Sequence, residues 1–160
     1  MRRYVQLIFG TPLLLASIQL SAGDIPNSTL TPGMTNPDVS QANIDSTICN
    51  PGYTQTIRPP AYYTTTLKKQ QIKKWHYLDT DASHYEEDHL ISLEIGGHPR
   101  DPANLWPQPY QGKWNARVKD ELENKLHKMV CAHQLTLRDA QTAISENWVS
   151  AYQQYVGAGP

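Results

Sequence analysis

The densest group of ionisable side chains in the chain is Tyr85-Glu86-Glu87-Asp88-His89. A histidine with a pKa near neutrality can take a proton from water. A carboxylate is a hard oxygen ligand suited to Mg2+ or Mn2+. Side by side, Asp88 and His89 therefore offer a proton acceptor and a cation ligand. In a strand, adjacent side chains point to opposite faces. The two can serve one site only where the strand bends or where the ion sits at its end. The dipeptide alone is also what a surface acid beside a hydrogen-bonded histidine looks like.

The elements that must position this pair are legible on either side of it. Leu90, Ile91, Leu93 and Ile95 lead into Gly96-Gly97, which predicts a strand over 85–95 ending in a turn. His98 to Ala103, with two prolines, reads as a loop. Asn104-Leu105-Trp106 starts a second strand, stopped by Pro107 and Pro109. Val118, Leu122, Leu126 and Met129 or Val130 recur at helical spacing and predict a helix over 114–130. A last helix starts at Thr136, where Asp139 completes a variant capping box, and carries the stripe Ala140, Ile144, Trp148, Ala151 and Tyr155. Upstream, Leu67, Gln71, Ile72 and Trp75 share one side of a helix over 64–75. Its other side carries Lys68, Lys69, Lys73 and Lys74, a solvated face or a phosphate-facing ridge. Tyr53 to Ile57 reads as a short extended piece. The order strand, turn, strand, helix puts the chain in the α+β class.

Asp88-His89, the apolar segment, Gly96-Gly97, the later Asn104-Leu105 and a helix bearing Asn115 and Lys119 occur in the order found in the HNH nucleases. The stretch from Asp88 to Lys119 resembles that ββα-metal group. Cys49-Asn50-Pro51-Gly52 and Asn104-Leu105-Trp106-Pro107 also resemble a set of small exported bacterial proteins. The resemblance implies a ββα-metal (HNH-like) core with flanking helices over 48–157. It implies an endonuclease that hydrolyses phosphodiester bonds, DNA ahead of RNA. His89 would deprotonate the attacking water and Asn104 would hold the loop that carries it. Asp88 and Asn115 would bind one divalent ion, Mg2+ or Mn2+ ahead of Zn2+, which stabilises charge on the phosphate and the departing oxygen. Lys119 and Arg117 would meet the substrate. The sequence departs from the family at one point. Lys113 stands where the last metal ligand usually falls, so Asn115 requires a two-residue insertion, and Asp120 is a substitute one turn further on.

The ends of the chain bear on where it works. Met1-Arg2-Arg3, the apolar run Val5 to Leu20 and the small residues Ser21, Ala22 and Gly23 have the layout of a secretory signal peptide over 1–22. Residues 23–47, rich in Pro, Ser, Thr, Asn and Asp without period, predict a disordered linker. Export predicts a secreted or periplasmic protein without stable membrane association, and hence a disulfide between the two cysteines, Cys49 and Cys131. Two thiolate metal ligands are the competing reading of that pair. Loss of Arg2 and Arg3 leaves more acidic than basic side chains, a net charge of about −3, which excludes a protein that coats nucleic acid by charge alone. A second function class remains beside the nuclease: a non-catalytic exported domain that uses the same core as a scaffold, its metal site degraded.

Overall fold

Tyr85–His89 (β1) pairs antiparallel with Leu105–Pro109 (β2) to form a two-stranded sheet in the computed structural model, which describes residues 24–160. The register sets Asp88 opposite Trp106 and His89 opposite Leu105. Two helices precede the sheet, Tyr53–Ile57 (α1) and Ala61–Lys74 (α2), and two follow it, Ala116–Cys131 (α3) and Leu137–Tyr155 (α4). Helices with a small antiparallel sheet make the fold α+β. The segment expected to be extended at Tyr53 is instead the short helix α1, entered through Gly52 at φ 88°, a left-handed backbone that glycine accepts without strain.

The first strand is shorter than its apolar run suggested. It stops at His89, because the next backbone groups leave the ladder for the side chain of Asn104. Leu90 N still donates to Asn104 O at 2.8 Å. Ile91 N then donates to Asn104 Oδ1, and Asn104 Nδ2 donates to Ile91 O, both at 2.9 Å. A side-chain amide offers the backbone an alternative to the sheet. The chain turns through a 3-10 segment at Leu93–Ile95, with Ser92 capping it through Glu94 N. At Gly97 an added Cβ would lie 1.7 Å from Ile91 O, so only glycine fits there. The second strand is longer than expected, and runs through both prolines. A two-stranded sheet has only edge strands, where a missing N–H breaks no second ladder.

The segment 24–47 departs from the expected disordered linker. Val39 and Ile44 lie in the core, and Asp24, Thr31 and Asn36 are buried. Thr35 bridges Gly97, His98 N donates to Met34 O at 2.7 Å, and Trp148 Nε1 donates to Asp24 O at 2.8 Å. Aperiodic polar sequence hid these anchors because they work through backbone pairing, which leaves no side-chain pattern. The expected signal peptide over 1–22 lies outside the described residues. Among those described, no helix is long and apolar enough to cross a membrane.

The helix α3 packs against α4 and the 3-10 turn at Leu93–Ile95 and meets the end of β1 through Lys119, while α2 covers the sheet. Leu122, Leu126 and Val130 are fully buried along its inner face, and Trp114 stacks edge-on against Trp148 and Tyr152 of α4. Cys131, the last residue of α3, is bonded to Cys49 just before α1, with Cα atoms 5.6 Å apart. The staple spans a sequence separation of 82. Loop-closure entropy for a span of that size gives about 4 kcal/mol of stabilisation. The double substitution Cys49→Ala/Cys131→Ala is expected to lower stability by about that much, read as a fall in the urea midpoint relative to the oxidised wild type.

Candidate active site

Side-chain alternation along β1 sends Asp88 towards α3. There the ammonium of Lys119 lies 2.7 Å from Asp88 Oδ2 and donates to the backbone carbonyl of His89 at 2.8 Å. Its third partner is Glu123, one turn further along α3. Two of its N–H groups are hydrogen-bonded, to His89 O and Glu123, and the Asp88 carboxylate completes the set as a close ion pair. Lys119 is 0 % exposed. Burial pulls its pKa down, but the charges of Asp88 and Glu123 outweigh burial and hold it above the usual lysine range. Burial raises the Glu123 carboxyl, against the pull of Lys119. The placement corrects the expected phosphate contact. No surface of Lys119 is open to a substrate.

His89 ends β1 and is buried. Its Nε2 lies 3.0 Å from Pro99 O, and a carbonyl can only accept. The ring proton therefore sits on Nε2, leaving the Nδ1 lone pair free. Burial, partly offset by that hydrogen bond and by Asp88, holds the imidazole below its ordinary value of 6.5 and therefore neutral at neutral pH. The residue lines an open cavity of about 340 Å³ together with Arg58, Thr64, Lys68, Glu87 and Tyr110. Lys68, half-buried on α2, reaches back to donate to Tyr85 O at 2.6 Å, while Lys69, Lys73 and Lys74 stay exposed.

Asn104 is wholly buried behind the histidine. Besides both polar groups of Ile91, its amide bonds His98 O at 3.1 Å and accepts from Met34 N at 3.3 Å. The residue thus ties the loop after His89 to the start of β2 and to the segment before α1.

The remaining expected ligand is committed elsewhere. Asn115 is the N-cap of α3: its Oδ1 accepts from Arg117 N at 3.0 Å and Val118 N at 3.3 Å, and its Nδ2 donates to Gly112 O at 2.8 Å. Asn at this position satisfies helix N–H groups that have no other partner. Arg117 is exposed, and its charge is felt at Tyr110. The Asp120 carboxyl, on the outer side of the same turn, is raised by partial burial and then by the charge of Asp88.

These donors do not fit a divalent ion. Asp88 faces an ammonium and Asn115 is spent as a cap. Among the described residues, the only group of three His, Cys, Asp or Glu side chains that converges on a cation-sized space is Cys49, His127 and Cys131, and its two sulfurs are bonded to each other.

One participant, Glu123, is not among the residues that the sequence singles out, whereas a second, Glu87, is a candidate to orient His89 or join a metal shell. Glu123 stands four positions after Lys119, a spacing that pairs charges on a helix. Glu87 stands two before His89 and so shares its face of β1. Both carboxylate oxygens of Glu87 are buried without a hydrogen-bond partner. Burial first, and Asp88 second, push its pKa up to about 9, against Lys68.

Compared with known proteins, the chain matches no family model, no curated protein and no solved structure.

The raised Glu87 pKa has a signed consequence. A carboxyl protonated in the folded state loses its share of stability as pH rises from the unfolded value of 4.5 towards about 9. Glu87→Gln is expected to leave stability unchanged at pH 4 and to raise it by about 2 kcal/mol or more at pH 8. Urea melts across that range check the slope.

Proposed function

We propose that the chain is an exported hydrolase that cuts phosphodiester bonds of nucleic acid, with His89 as general base. One observation carries the reading: a neutral imidazole, its Nε2–H held by Pro99 O, lines an open cavity beside Arg58 and Lys68. Nδ1 takes a proton from water, the hydroxide attacks phosphorus, and the 3′ oxygen leaves with the bonding pair and takes a proton from solvent water. The two cations supply charge where the phosphate gains it. Asn104 positions the base by fixing the loop behind it. Lys68 lines the cavity and Lys69, Lys73 and Lys74 are exposed on the same helix, local positive charge for a polyanion on a chain of formal net charge −1. DNA stands ahead of RNA in this reading, and the disulfide is compatible with a secreted or periplasmic site of action. The order of two paired strands and a packed helix, with Asp88, His89 and Asn104 at their junction, supports the HNH resemblance.

Mg2+, Mn2+ or Zn2+ would supply charge stabilisation in such a nuclease. The donors at Asp88 do not fit one, and no step here is routed through it. The same pairing of Asp88 with Lys119 favours the second reading, a non-catalytic exported domain built on this core. A plasmid-degradation assay separates the two. His89→Ala is expected to lose about 100-fold or more in rate. The wild-type rate is expected to hold on lowering the pH through 6.5 and to fall only below it, because burial depresses the base. Equal rates for wild type and His89→Ala would remove His89 from the chemistry.

A further inference from the structure

We propose that the ammonium of Lys119 is the resident cation of this site, standing between β1 and α3 where a divalent ion would otherwise bridge them. The assignment rests on the placement of oxygens. Asp88 Oδ2 and the His89 carbonyl come from the end of β1, and the Glu123 carboxylate comes from the second turn of α3. Three hard oxygens from two facing elements are the kind of set that Mg2+ or Mn2+ takes. Here a side chain from within the helix fills it.

The surroundings ask for a cation. Glu86 and Asp120 feel the charge of Asp88 as well, so four carboxylates gather about one strand end. Only Lys119 lies among them, with Arg58 at the rim. A monovalent ammonium on a covalent stem differs from a bound ion in two respects. It cannot be removed by a chelator, and it offers no open position for water or phosphate. Lys119 therefore acts through its neighbours. It fixes the carbonyl of His89 and the carboxylate of Asp88, and so sets the strand end from which the imidazole projects. It is a positioning residue, and Asp88 is its ion-pair partner in place of a metal ligand. A divalent ion at Asp88 would have to sit against a fixed positive charge in a poorly screened setting.

The role of His89 depends on the hydrolase reading above, but the cation assignment does not, and its test uses no nucleic acid. Mn2+ is titrated into the folded, oxidised protein and free ion is counted by electron paramagnetic resonance. Wild type and Asp88→Asn are expected to take up Mn2+ equally poorly. Lys119→Ala frees the three oxygens and is expected to bind one Mn2+ at least tenfold tighter than wild type, and Asp88→Asn in that background abolishes the gain. A merely structural lysine would yield no such Asp88-dependent site. One tightly held Mn2+ in wild type, lost in Asp88→Asn, would overturn the assignment, as would a folded Lys119→Ala protein with no gain. Should Lys119→Ala not fold, Lys119→Ser and Lys119→Gln carry the same Asp88-dependent test.

Discussion

A fully buried lysine constrains everything around it. Moving an ammonium out of water costs several kcal/mol even after the protein relaxes, and only partners in good geometry offset it. Lys119 has two hydrogen-bonded oxygens and the Asp88 carboxylate as an ion pair, and they come from two elements. The end of β1 and the second turn of α3 must therefore meet in one register. Slipping the strand by a residue would turn Asp88 away and leave a charge buried alone. The hydrophobic face of α3, with Leu122, Leu126 and Val130, supplies the attraction to α4 and to the turn after β1, but apolar contact tolerates sliding. The ion pair does not.

With that junction fixed, the other devices serve the strand end. Asn104 gathers the backbone of Ile91, His98 and Met34 around one amide, ending β1 at His89 and giving the imidazole a rigid base. An isosteric aspartate could not do the same, since it has no N–H to give to Ile91 O and His98 O. Cys49–Cys131 closes the far end of α3 against the segment before α1. On the opposite face of β1, Glu87 is kept protonated between the strand and α2, a neutral polar group within reach of the same cavity as His89. One short strand thus carries charges of two kinds: a paired carboxylate facing α3, and a neutral acid with a neutral base facing α2.

Much of this was legible in residue types and periods. The helical repeat of Val118, Leu122 and Leu126 located α3 to within a few residues, and Thr136 marked the start of α4, where it caps Asp139 N. The disulfide followed from the cysteine count. What escaped had a common physical origin. The apolar run Leu90 to Ile95 looks like a strand, but a single asparagine side chain far along the sequence diverts its backbone into a turn. Residues 24–47 pack through backbone pairing and scattered anchors such as Ile44, which leave no period. Asn115 has the right chemistry for a ligand, and its position at a helix start made it a cap. Lys119, by the resemblance, would meet the substrate. That it turns inward depends on which carboxylates the fold sets opposite, and Asp88 lies thirty-one positions away in sequence.

The buried ammonium can be observed directly. Nitrogen-15 labelling of the lysines and heteronuclear NMR at neutral pH would resolve Lys119 Nζ from the solvated lysines of α2. The account predicts one NH3+ signal with slowly exchanging protons and coupling to a backbone carbonyl, shifted in Asp88→Asn. Protons on Lys119 that exchange as fast as those of Lys69 or Lys73 would mean that its ammonium is in water, and the junction of β1 with α3 would need another explanation.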